Sequence, residues 1–130
     1  LSHYQLEETR NLLNELAPRT VIALAHYPLL SRTQAYHSGW GRRLRHACRL
    51  RTVLGESGHS ILYLAGHVHR FSHVRDPLFP SMEYVTSNAL FYQKRGCLPG
   101  FTEIRMENGI PCVYPWRYDG TWQRMEQSHS

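Results

Sequence analysis

Three histidines stand where two short apolar runs would release the chain. His26 follows Val21-Ile22-Ala23-Leu24-Ala25, and His67 and His69 follow Ile61-Leu62-Tyr63-Leu64-Ala65 and Gly66. Each run has the length and continuity of a strand buried on both faces. In α/β sheets, ligands collect at the carboxyl ends of such strands. Neutral imidazole is a good ligand for Zn, Mn, Fe or Ni ions. Two histidines separated by one residue on a tight turn can reach two points a few ångströms apart. Gly66 is expected to supply conformational freedom there, or to let backbones approach closely. Pro28 biases Tyr27 toward extended geometry and helps the chain turn after His26. A single histidine after a strand is more often structural or solvent-facing, and so is an isolated H-x-H. The combination of the two strand ends carries the metal-binding reading.

The surrounding elements must hold those ends together. Ser2 and Gln5 read as a capping box opening a helix that runs to about Ala17, with Leu6, Leu12, Leu13 and Leu16 as its apolar side. Pro18 stops it. Residues 27–41 read as a loop. A second helix is expected from Arg42 to about Leu54, with Leu44, Ala47, Cys48 and Leu54 on one face. Its arginines, Arg42, Arg43, Arg45, Arg49 and Arg51, read as a solvated side rather than a phosphate or nucleic-acid surface. Beyond the second histidine loop, Met82 to Ala89 reads as a strand. Thr102, Ile104 and Met106 alternate with charged residues, as in a strand with one wet face. Asn108-Gly109 signals a hairpin. Ile110 to Tyr118 would pair back as an edge strand, because it contains Pro111 and Pro115. Asp119-Gly120 suggests a further turn before Thr121 to Met125, and the polar tail 126–130 is expected to fray.

Composition bounds the rest. With 130 residues, 42% of them hydrophobic and 19% charged, one packed domain is expected and disorder is not. No apolar run approaches the roughly 18–20 residues of a membrane-spanning helix. Leu1 to Arg10 lack the pattern of a signal peptide. The net charge is +5, and fourteen of the fifteen basic residues are arginine. A charge of this size is weak evidence for an anionic partner. The three cysteines, Cys48, Cys97 and Cys112, form no paired framework, which fits a reducing, cytoplasmic setting or plain use in the core. Cys48 is expected in the core.

The two motifs, Ala25-His26-Tyr27-Pro28 and Ala65-Gly66-His67-Val68-His69-Arg70, lie about forty residues apart. Together they resemble the C-terminal half of the calcineurin-like metallophosphoesterase family. Glu83 to Asn88 and Pro99 to Ile104 resemble the strands that follow its metal loop, and the likeness runs from about Leu1 to Asp119. It implies an α/β fold: half of a four-layer αββα sandwich, α-β-α-β followed by mostly antiparallel strands. A partial domain over 1–125 would precede the tail. It also implies that His26 and His67 bind one metal and His69 its neighbour. The complete enzyme would hold two divalent or trivalent ions (Mn, Fe or Zn) and hydrolyse phosphomonoesters or phosphodiesters.

The family's D-x-H, G-D-x-x-D and G-N-H-[DE] motifs do not occur here, and the only aspartates are Asp76 and Asp119. Those motifs supply the bridging carboxylate and the histidine that assists the leaving group. The chain therefore reads as the rear part of a phosphoesterase, inactive alone and holding at most one ion weakly. It would associate with itself or with the missing N-terminal half, and its two apolar strands would show open edges and an uncovered face. Two alternatives stand beside this: a non-catalytic metal- or phosphate-binding module on a degenerate fold, and a basic nucleic-acid-binding domain. Neither a membrane nor nucleic acid is the expected partner. His37, with Tyr36 and Trp40, is a candidate for the substrate opening, and His73 for a group supporting the metal ligands or a surface residue. His3, His46, His59 and His129 carry no pattern. Trp116, Tyr118 and Trp122 are expected to cover the outer side of the β region.

Overall fold

A computed structural model describes residues 1–30, 46–91 and 96–130. Its first helix, α1 (His3–Glu15), begins at the capping box: the Gln5 N–H donates to Ser2 Oγ and the Ser2 N–H to Gln5 Oε1. Leu6 and Leu13 are buried on its inner side, whereas Leu12 faces solvent. The remaining elements are β1 (Thr20–Ala25), α2 (Ala47–Gly55), β2 (Ser60–Ala65), β3 (Ser72–Arg75), β4 (Met82–Thr86), β5 (Gly100–Glu107), β6 (Ile110–Tyr118) and β7 (Trp122–Arg124). None of the described helices is long and apolar enough to cross a membrane.

Four strands form a mixed sheet in the order β1-β2-β4-β3. β1, β2 and β4 run parallel, and β3 returns antiparallel to β4. The second sheet, β5-β6-β7, is antiparallel. Apolar burial joins the layers. On one face of the mixed sheet, Leu6 and Leu13 of α1 and Leu50, Val53 and Leu54 of α2 pack with Ile61, Tyr63, Met82 and Tyr84. On the other face, Leu62 and Val85 meet Val113 of β6, with Leu64, Phe71 and Ile104 around them. The described chain is thus a mixed α/β fold with two sheets.

β2 is buried on both faces, as its continuous apolar run requires, but β1 is not. β1 is an edge strand; its side facing the helices is half-buried, while Ile22 is 39% and Leu24 78% exposed. The antiparallel sheet packs on β2 and β4; it meets β1 at its start, where the Thr20 hydroxyl donates to Gly109 O at 3.3 Å, and leaves Ile22 and Leu24 uncovered. An open edge and an uncovered apolar face are expected of both strands; among the described residues they are found on β1, whereas β2 is paired on both sides and buried.

Three other expectations need correction. Cys48 is exposed; the inner face of α2 is made by Leu50, Val53 and Leu54. Residues 42–45 lie outside the described residues. β6 is the middle strand of its sheet, not an edge. The Ser128 N–H donates to Val113 O and the Met125 N–H to Pro115 O. Along β6, residues 111, 113 and 115 therefore turn their backbone groups away from β5. The N–H groups that Pro111 and Pro115 lack fall on this sparsely paired side, so the ladder to β5 stays whole. The tail is docked rather than frayed: Ser128 bridges to Val113, and the Ser130 hydroxyl donates to Glu83.

The Asn108-Gly109 turn has φ of 51° and 76°, the left-handed pair that a two-residue hairpin needs. Two buried polar hubs complete the frame. His59 accepts the Arg19 N–H at Nδ1 (3.2 Å) and places Nε2 2.8 Å from Leu13 O, strapping the end of α1 to the start of β1. Asp76 takes both ends of the Arg51 guanidinium, the Tyr84 hydroxyl and the backbone N–H groups of Leu78 and Phe79.

Candidate metal centre

β1 and β2 pair in parallel register, with Ala25 opposite Ala65. Their carboxyl ends therefore leave the sheet side by side, and the Gly66 N–H donates to His26 O at 3.2 Å. This brings His26 and His67 together: His67 Nδ1 lies 3.2 Å from His26 Nε2. The two nitrogens share a hydrogen bond, one donating and the other accepting, so an ion held by both would have to take the place of that proton. Among the described residues, no group of three or more His, Cys, Asp or Glu side chains forms a metal-holding cluster. His69 does not join the pair to make one.

The backbone explains how the second loop presents its rings. The Val68 N–H closes back on Gly66 O at 2.7 Å, a three-residue turn with His67 at its apex and φ of 63°. His69 has φ of 54°. Left-handed backbone costs an L-residue roughly 1–2 kcal/mol, and residues held that way concentrate at functional sites. The buried Val68 side chain anchors the turn between the two histidines. The special geometry expected of Gly66 thus belongs to its neighbours. A Cβ on Gly66 would meet nothing nearer than His26 O at 3.9 Å, and its φ is not positive. His67→Gly is expected to be more stable than His67→Ala by about 1 kcal/mol, read from urea unfolding, although neither keeps the imidazole.

Tyr27 was not anticipated from the pattern, yet its ring closes a triangle with the two imidazoles. Its centroid is 4.7 Å from that of His26 and 4.6 Å from that of His67. The Tyr63 hydroxyl, deep in β2, donates to Tyr27 O at 3.0 Å. Burial pushes the Tyr63 phenol up to about 12, so it remains a donor across the neutral range. No signal short of the pairing register reveals this contact across 36 positions. Tyr63→Phe is expected to lower metal affinity about tenfold, the scale on which supporting partners act, while the fold persists; calorimetric metal titration measures it.

The other candidates fall elsewhere. His37, Tyr36 and Trp40 lie outside the described residues, as do Arg42, Arg43 and Arg45. Arg49 is exposed, and Arg51 is spent on Asp76, so the arginine run is not a uniform anionic-partner surface. His73 is neither exposed nor beside the pair. Its Nε2 meets Glu83 at 2.8 Å and its Nδ1 meets Ser128 Oγ at 3.1 Å. Burial raises the Glu83 pKa, but hydrogen bonds from His73 and Ser130 and the charges of His73 and Arg75 outweigh it and hold the carboxyl below its usual range. Trp116 and Trp122 flank Phe101 at 5.5 and 5.1 Å, and Tyr118 lies 5.3 Å from Trp122. These rings cover the side of the second sheet opposite Val113. Comparison of the chain with protein-family models and with curated proteins found no match.

Proposed function

We propose that this chain carries the histidine side of a dinuclear metal-dependent phosphoesterase centre. The observation that supports it most is the 3.2 Å approach of His67 Nδ1 to His26 Nε2 at the carboxyl ends of adjacent parallel strands. His26 and His67 would hold one ion and His69 its neighbour. Bound ions would lower the pKa of a water and neutralise phosphoryl oxygens. The chain's own part is to fix the imidazoles: the three-residue turn aims His67, the Tyr27 ring confines the pair, and Tyr63 holds the Tyr27 carbonyl.

The carboxylates that balance two cations would come from polypeptide outside these residues. Purified chain supplied with Mn is therefore expected to show no hydrolysis of aryl phosphate mono- or diesters. A clear rate that His67→Ala abolishes would show a complete centre and overturn this part of the proposal. A second reading, a non-catalytic metal- or phosphate-binding module, is favoured by the same scarcity: among the described residues no carboxylate joins the histidine pair. It predicts tight metal binding by the chain alone, with no gain from any added segment.

A further inference from the structure

The described arginines divide by partner. Arg10, Arg51, Arg75, Arg105 and Arg124 each meet a carboxylate. Arg19, Arg49, Arg70 and Arg117 meet none among the described residues, and of these Arg70 and Arg117 line one cavity, of about 280 Å³, together with Asn88 and Phe71. Arg70 is the residue after His69, so this cavity opens beside the second histidine loop. Its walls are held from below. The Thr86 hydroxyl donates to Arg70 O at 2.7 Å, and the Phe71 N–H donates to Asn88 Oδ1 at 2.7 Å. On the other side, the Tyr118 N–H donates to Pro99 O at 2.8 Å, fixing the strand end that bears Arg117. The contrast with the cavity at the amino ends of the strands is informative. There Arg75 and Glu83 face the same space, but they are bonded to each other at 2.5 Å and leave no net charge to satisfy.

We infer that Arg70 and Arg117 form an anion subsite that takes a phosphoryl group. Guanidinium presents paired N–H donors that match phosphate oxygens, and an arginine without a carboxylate partner gives up no ion pair to do so. The inference deepens the phosphoesterase reading by giving the substrate's anionic group a place beside His69. It can be tested without metal.

The experiment is an NMR titration of the chain, freed of metal on a chelating resin, with inorganic phosphate and with glycerol phosphate. Saturable binding of both is expected, centred on Arg70, Phe71 and Asn88. Arg70→Gln and Arg117→Gln should each weaken it at least fivefold, and Arg49→Gln, an exposed arginine elsewhere, should not. Preference for the ester over free phosphate marks a substrate subsite; equal affinity marks a site for the phosphoryl group itself, and either supports the inference. Absence of saturable binding, or equal weakening by Arg49→Gln, overturns it. Because no metal is present, that failure leaves the histidine centre standing, and failure of metal to bind leaves this subsite standing.

Discussion

Replacing His67 by alanine is expected to reduce affinity for Zn or Co by at least about a hundredfold, because even groups that merely support a ligand cost ten- to a hundredfold when removed. The reason is local. His67 supplies one of the two nitrogens that stand 3.2 Å apart, and no third group clusters with them among the described residues to compensate. The fold should survive, since the His67 backbone is in a disfavoured conformation and its ring is not part of either apolar core. His67→Gly serves as the matched control: it relieves the backbone and should lose metal equally. His3→Ala, on the exposed side of α1, should bind as the unaltered chain does. Calorimetric titration of the three variants measures the effect. A His67→Ala chain that binds metal normally would place the ion elsewhere.

The largest effect on stability is expected at Asp76. Its side chain is fully buried and receives five hydrogen bonds, two of them from Arg51. Removing the carboxylate strands a guanidinium that is only 20% exposed and leaves the Tyr84 hydroxyl with the weak Met82 sulfur acceptor, 4.0 Å away, in place of a carboxylate. Breaking a buried pair this way costs about 3–5 kcal/mol, so Asp76→Ala should unfold at much lower urea concentration, and Asp76→Asn at an intermediate one. A pH signature follows. Burial raises the Asp76 pKa, but the bonds from Arg51, Tyr84, Leu78 and Phe79 outweigh it and hold the group well below the usual carboxylate range. A carboxyl depressed in the folded state contributes its full stability above the unfolded value, about 3.9, and loses it as pH falls from there through the folded value. The unaltered chain should therefore lose stability below about pH 4 more steeply than Asp76→Asn. Parallel curves for the two would show that the carboxylate's charge does not matter.

What could be read from the residues alone follows a physical line. Local signals transferred well: the Ser2–Gln5 capping box, the Asn108-Gly109 turn and the two strand runs depend on neighbours in the chain. The location of His26 and His67 at adjacent strand ends was also legible, because a run bounded by turn formers ends where its apolar residues end. Whatever depended on partners far along the chain was not. The exposed face of β1 depends on how far the second sheet reaches, and the central place of β6 depends on a three-residue strand and a docked tail. Cys48 looked apolar and helical, but α2 turns Leu50, Val53 and Leu54 inward instead. Asp76 and His59 carried no motif, since their partners lie 25, 40 and 46 positions away. At the candidate centre, the pattern singled out His26 and His67, which the register brings together, but not Tyr27 or Tyr63, and it assigned to Gly66 a conformational role that His67 and His69 perform.

His26 and His67 are proposed to act as one metal-binding unit. Zinc titration of metal-free chain, followed by the ring ¹⁵N resonances of its histidines, tests it most directly. His67 Nδ1 and His26 Nε2 are expected to shift together and to saturate at one ion per chain. Zinc bound with those two nitrogens unmoved, or with only one of them moved, would contradict it.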